Sequence, residues 1–283
     1  MSFSKSFRRF YMGLLTLIPG PSKGWFIPYR YASTVTSPHL YSALEPVFKS
    51  SERDFRIFLD EIESYRAGFA AIGIDPPPQP RWEQGWFPRL DAAAAYTMVR
   101  KHRPNRIVEI GSGHSTRFFA RAVQDGGFNC ELISIDPEPR ANLSGLDVVQ
   151  IRTNCQQADD AIFSALGPGD VLFIDSSHIL MPGSDVDYFL NHIWHIICSG
   201  VIVHIHDVML PDGYPEAWHW RGYNEQSAIA PLISSAQASL LFSSNYVMTR
   251  MPEDFYASLV FSLPMLEGAV DTSLWLLKNS THS

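Results

Sequence analysis

Cysteine is scarce in this chain, and long apolar runs are missing. Its 283 residues include three cysteines, Cys130, Cys155 and Cys198. They are odd in number and too far apart for a zinc motif, which argues against a disulfide framework and points to buried thiols in a reducing compartment. The apolar stretch from Tyr11 to Ile18 is too short to cross a bilayer, so no integral membrane span is expected. Positive charge is also in deficit: a net charge of −7 argues against a protein that tracks nucleic-acid phosphates. Internal repeats and low-complexity tracts are absent. The expected location is cytoplasmic.

What is present is globular in composition, 46% hydrophobic and 18% charged, and long enough for one large domain with or without a small companion. Basic residues crowd the start (Lys5, Arg8, Arg9), followed by an apolar centre, which imitates a signal peptide. No small-residue cleavage site follows, and Pro19-Gly20-Pro21 ends the helix. A soluble amphipathic helix is expected there in preference to a peripheral membrane contact.

Residues 1–80 read as an amino-terminal helical and aromatic extension with a proline-rich linker. Glu52 to Ile72 has helical apolar spacing through Phe55, Phe58, Leu59, Ile62, Tyr65 and Phe69. An aromatic stretch precedes it (Trp25, Phe26, Tyr29, Tyr31, Tyr41), and Pro76-Pro77-Pro78 with Pro80 is expected to be an extended linker. This extension is expected to cover the active site or to form a homodimer contact.

Residues 81–283 alternate between strand and helix patterns. Expected strands are 106–110, 131–135, 147–151, 170–174 and 201–206, with late apolar segments 239–248 and 272–277 as the last two. Helices are expected over 90–101, 115–124, 158–166 and 184–197. This order predicts an α/β fold: a three-layer sandwich around a mainly parallel, seven-stranded, doubly wound sheet.

In an open parallel sheet, ligands bind outside the carboxyl ends of the strands, near the switch in strand order. The first strand leads into Glu109-Ile110-Gly111-Ser112-Gly113-His114-Ser115-Thr116. Glycines there let a ligand approach the backbone, and a helix start offers unpaired N–H groups. Asp136 ends the second strand and can accept hydroxyls of a ribose, although an N-cap with Pro137 in the first helical turn would use the same carboxylate. The fourth strand delivers Asp175-Ser176-Ser177-His178 and the fifth His206-Asp207. A dinucleotide fold usually has a third glycine at the position held by Thr116, and the acid Glu109 instead suits the cationic amino end of a methionine moiety.

Val108 to Gly113, Asp136, Phe173 to His178, Gly183 to Val186, Val203 to Asp207, Tyr214 to Trp218 and Asn224-Glu225-Gln226 together resemble class I S-adenosylmethionine-dependent methyltransferases. The likeness is to a bacterial branch akin to small-molecule O-methyltransferases acting on natural-product sugars or catechol-type compounds. It runs from about residue 82 to the carboxyl end and implies the Rossmann-like methyltransferase fold. It implies that Glu109, Gly111, Ser112, Gly113 and Ser115 hold the methionine end of S-adenosylmethionine. Asp136 and Pro137 would hold the ribose, Asn154 to Ala158 with Gln157 would flank the adenine, and Asp175 would close the pocket.

Two chemistries remain open for the polar cluster. In metal-dependent relatives the positions of Asp175, His206 and Asp207 would hold a divalent cation, but a histidine in that set disfavours magnesium. Without metal, His206 or His178 would be the base that deprotonates the acceptor, with Asp207 or Asp175 orienting the ring. A polar network that only shapes the pocket is the third possibility. His204 is expected to be buried and structural, and Tyr214, Trp218, Trp220 and Tyr223 to form a substrate wall or lid. The expected function is methyl transfer from S-adenosylmethionine to a hydroxyl of a small-molecule acceptor. The alternatives are a nicotinamide-dependent oxidoreductase and a non-catalytic cofactor-binding partner subunit.

Overall fold

The computed structural model describes residues 3–21 and 23–280, with side chains from Phe7 onward, so the Lys5 side chain lies outside the described part. An exposed helix α1 (Phe3–Leu17) is followed by irregular chain, then α2 (Glu45–Ser50), α3 (Glu52–Glu63), α4 (Arg66–Ala71) and α5 (Arg89–His102). The alternating part runs β1 (Arg106–Ile110), α6 (His114–Gly126), β2 (Glu131–Ile135), β3 (Val149–Ile151), α7 (Asp160–Ser164) and β4 (Val171–Ile174). Then α8 (Asp185–Tyr188) passes through a π-helical stretch into α9 (Trp194–Ile196), and β5 (Ile202–Ile205) follows. The chain closes with α10 (Gln226–Ser234), β6 (Ala238–Ser243), α11 (Ser244–Arg250), α12 (Pro252–Ala257) and β7 (Leu274–Lys278).

The seven strands lie in the order β3-β2-β1-β4-β5-β7-β6. β1 to β5 are parallel, and β7 inserts antiparallel between β5 and β6. β4 and β5 are buried at every position, as strands covered by helices on both faces must be. The strand order reverses between β1 and β4, so their carboxyl ends open a crevice there. The expected doubly wound sandwich is what forms.

Four local expectations are corrected. The helix read over Glu52 to Ile72 breaks after Glu63, where the Ser64 hydroxyl bonds back to the Glu61 carbonyl at 2.6 Å and competes with the helical ladder. The proline run turns instead of extending: Gln79 N–H donates to the Pro76 carbonyl at 3.1 Å, with Pro77 and Pro78 at the centre of the turn. The segment 239–248 is a strand only to Ser243, whose hydroxyl caps α11 by accepting the Tyr246 N–H. Cys198 is exposed, against the expectation that all three thiols are buried.

The stretch before residue 80 divides in two. From Phe7 to Ala43 no described side chain is buried, whereas Leu44, Phe48, Phe55, Phe58, Leu59, Ile62 and Phe69 belong to the same core as the sheet. Phe58 packs on Phe242 of β6 with ring centroids 4.8 Å apart.

Candidate functional site

A cavity of about 910 Å³ opens at the carboxyl ends of the central strands. Its lining includes Gly111 and Ser112 after β1, Asp136 and Pro137 after β2, Asn154 to Gln156 after β3, Asp175 to His178 after β4, and His206 with Asp207 after β5. Five strand ends thus converge on one space, as the sheet topology requires.

The β1 turn is built for close approach. Gly111 has φ +83°, and a Cβ there would overlap the Asp175 carbonyl oxygen, so only glycine lets the β1 and β4 loops meet. Ser112 donates its N–H (2.8 Å) and hydroxyl (2.9 Å) to Asp136 Oδ2, while Glu138 N–H donates to Oδ1 at 2.8 Å. No helix starts at Asp136, so its carboxylate is not an N-cap. Three donors occupy a group with about four lone-pair sites, which leaves Oδ1 with acceptor capacity beside the cavity.

Glu109 is placed differently from the expectation. Strand alternation turns its side chain away from the cavity, where it is fully buried and accepts hydrogen bonds from the Ser115 and Thr116 hydroxyls at the start of α6. Burial pushes its carboxyl up to about 8, against those two hydrogen bonds, so it is largely protonated at neutral pH. Glu109 and Ser115 therefore brace the β1–α6 turn and lie outside the cavity lining. Thr116, at the position a dinucleotide fold gives to glycine, serves the same brace. Gly113 and Gln157 also lie outside the lining, and Gln157 Oε1 accepts from the Thr153 hydroxyl at 3.0 Å. Gly111, Ser112, Asp136, Pro137 and Asp175 line the cavity.

At the other end, His178 lies among three carboxylates. Its Nδ1 is 2.9 Å from Glu225 Oε2, and its Nε2 is 3.3 Å from Asp175 Oδ1 and 3.6 Å from Asp207 Oδ2. Burial works against charging the ring, but the hydrogen bonds to Asp175 and Glu225 outweigh it and raise the histidine well above its usual value. The three carboxylates around the ring thus favour its charged form. The same contacts act on Asp175: burial pushes it up, and His178, His206 and Arg140 together bring it below the ordinary carboxylate range. Burial raises Glu225, with the His178 hydrogen bond opposing. His178 (φ +60°) and Asp207 (φ +55°) both hold left-handed backbone conformations, which non-glycine residues keep mainly where surrounding structure enforces them. The enforcement is visible, since Asn224 and Glu225 N–H both donate to the His178 carbonyl and the Thr272 hydroxyl donates to Asp207 Oδ1 at 3.0 Å.

His206 borders the cavity, but its Nε2 donates to the Trp86 carbonyl at 3.0 Å and its Nδ1 lies 3.9 Å from buried Asp91. Burial disfavours its charged form, yet Asp207, Asp175 and Asp91 leave it raised overall. Both ring nitrogens of His178 face carboxylates, and His206 Nδ1, although without a hydrogen-bond partner, is buried away from the cavity surface. The expected metal set of Asp175, His206 and Asp207 does not assemble. The His178 ring stands between the two aspartates, His206 Nε2 is spent on a carbonyl, and no group of three ligands among the described residues is placed to hold an ion. His204 is buried, stacked on Phe173 at 3.9 Å and bonded to the Ser273 hydroxyl, in the structural place expected for it.

Trp218 and Tyr223 line one wall of the cavity, and the Arg221 guanidinium lies 3.9 Å from the centroid of the Trp218 ring. Tyr214 packs behind them against both rings. Sequence reasoning gave no role to Glu225, Arg140, Arg221, Trp86 or Trp25, of which all but the buried Glu225 border the cavity. The signal available for Glu225 was its place in the motif Asn224-Glu225-Gln226.

Residues 108–208 match a family model described as a methyltransferase domain. No curated protein matches the chain. Among solved structures, the chain is similar to an S-adenosylhomocysteine-bound methyltransferase from Podospora anserina, with 15% identity, 91% of this chain and 100% of that chain covered, and TM-score 0.39. It is also similar to the plantazolicin methyltransferase BpumL in complex with a monoazolic desmethylPZN analogue and S-adenosylhomocysteine (14%, 84% and 96%, TM-score 0.42). An O-methyltransferase from Bacillus cereus in complex with S-adenosylhomocysteine matches with 18% identity over 65% and 81% of the two chains, TM-score 0.37.

Proposed function

Starting from residues 108–208 as a methyltransferase domain of the class I, S-adenosylmethionine-dependent type, we propose that the chain methylates a hydroxyl oxygen of a small molecule. The observation that carries this reading is the two-ended cavity. One end offers bared backbone at Gly111 and a carboxylate at Asp136; the other offers charged and aromatic groups around Asp175.

The residues fit the cofactor. Gly111 and Ser112 would receive its methionine end, Asp136 a ribose hydroxyl, and the 154–156 segment its base. When bound, S-adenosylmethionine supplies a methyl group on a cationic sulfur. Everything else falls to the protein. The acceptor hydroxyl must lose its proton, and Asp175 is the most open carboxylate of the cluster, its side chain 42% exposed against 13% for Asp207 and none for Glu225. A carboxylate of low pKa is a weak base, but a hydroxyl becomes strongly acidic as its oxygen gains a carbon, so a weak base in contact suffices. His178 holds Asp175 and Asp207 in place and offsets their mutual repulsion. Trp218 and Tyr223 form the wall against which a flat or apolar acceptor rests.

The test is a pH profile of kcat/KM on an acceptor found by screening hydroxyl compounds for release of S-adenosylhomocysteine. With Asp175 as base, the profile stays level through neutrality and Asp175→Asn loses at least about a hundredfold in kcat. A limb near the ordinary histidine value of about 6.5 would assign the base to a histidine instead. Cofactor binding without turnover on any acceptor would favour a non-catalytic subunit.

A further inference from the structure

From residue 1 to Leu44 the chain contains no acidic residue, and the first is Glu45. The same stretch holds Lys5, Arg8, Arg9, Lys23 and Arg30, in a protein whose net charge is −7. Charge of opposite sign is therefore segregated to one end of the sequence.

Apolar residues are segregated as well. On α1, Phe7, Phe10, Tyr11, Leu14 and Leu17 recur at helical spacing on one face, while Arg8 and Arg9 fall on the other. That apolar face is largely exposed among the described residues: Phe10 is 69% exposed, and Phe7 and Leu17 are similarly open. Beyond the turn at Pro19-Gly20-Pro21, Trp25, Phe26, Ile27, Tyr29 and Tyr31 are all more than half exposed. A contiguous apolar surface of this kind on a water-soluble chain marks a contact with something else.

The composition of the patch identifies the partner. Aromatic and leucine side chains opposite a basic face, with Trp and Tyr in the adjoining loop, match the interface between acyl chains and headgroups, where amphipathic rings settle and basic groups meet anionic lipid. A contact between two copies would bring ten basic residues together with no acid in either segment to offset them, which disfavours a second copy as occupant. We propose that residues 3–31 form an interfacial anchor that seats the protein on an anionic bilayer surface, with α1 lying in the plane of the interface. Trp25 belongs both to this segment and to the cavity lining, so the anchored face adjoins the cavity. The anchor is independent of the methyl-transfer reading.

The test is co-sedimentation of the full chain with vesicles of phosphatidylcholine containing phosphatidylglycerol, beside pure phosphatidylcholine vesicles, with analytical ultracentrifugation of the chain alone. Binding to the anionic vesicles is expected, weakened by salt and by omission of phosphatidylglycerol. It should fall at least about tenfold in Arg8→Glu with Arg9→Glu and in Phe10→Glu with Leu14→Glu. These side chains are exposed, so circular dichroism of both variants should match the parent. No binding by the folded parent overturns the proposal. So does a dimer that Phe10→Glu with Leu14→Glu converts to monomer while vesicle binding is absent.

Discussion

At the scale of single residues, the same carboxylate type serves three purposes, depending on what surrounds it. Asp136 is half-buried and braced by N–H donors, Asp175 is held below the ordinary carboxylate range by its histidine neighbours, and Glu109 is buried and largely neutral. The neutral state of Glu109 has a measurable consequence. Its folded-state value of about 8 lies above that of the unfolded chain, about 4.3, so its contribution to stability is complete below the lower value and is lost as pH rises towards the upper one. His178, raised well above about 6.5, acts in the same direction over a more alkaline window. Urea denaturation should therefore show stability falling from pH 5 to pH 8, and Glu109→Gln should flatten that fall. A variant with the parent's pH dependence would mean that Glu109 is ionised in the fold. The exchange of roles between Glu109 and Asp136 also marks what sequence could disclose. Both acids are visible at strand ends, but only the pleat decides that Glu109 faces the α6 turn. Glu225 reaches His178 across 47 residues and Arg221 reaches Asp207 across 14, contacts that leave no periodic trace.

At the scale of elements, the parallel half of the sheet was legible and the last third less so. β1 and β2 fall at their expected bounds because each is a short apolar run between polar turns, buried on both faces. The errors lie where one side chain redirects the backbone: Ser64 ends α3, Ser243 caps α11, and two prolines make a turn. None of these competes visibly with apolar spacing when the sequence is read in windows. The helices before residue 80 also bear on where the folding unit begins. Phe55 and Phe58 of α3 contact Phe242 of β6, with centroids 5.8 and 4.8 Å apart, so α3 covers one end of the sheet. Phe58→Ala should cost about 3–5 kcal/mol of global stability in equilibrium denaturation, the usual effect of emptying a buried aromatic site. A loss under about 1 kcal/mol would show that α3 is a separable extension.

At the scale of the whole molecule, two regions answer to different forces. Residues from Leu44 onward share one core around a seven-stranded sheet, while before it no described side chain is fully buried and Tyr41 packs on the core only in part. A chain starting at residue 32 should accordingly melt within about 2 °C of the parent in a thermal scan, since no core contact is removed. A large drop would place the aromatic stretch inside the folding unit. The cavity, in contrast, belongs mainly to the sheet, because five strand ends line it and Trp25 is the one described lining residue before Leu44. The central claim is that this cavity takes an S-adenosyl group with Asp136 as a ribose acceptor. Calorimetric titration of S-adenosylhomocysteine into the parent and into Asp136→Ala tests it most directly. The expected result is saturable one-to-one binding by the parent and an affinity about ten- to a hundredfold lower in the variant, the worth of a hydrogen bond to a charged group. No binding by the folded parent, or equal affinity in the two proteins, would contradict it.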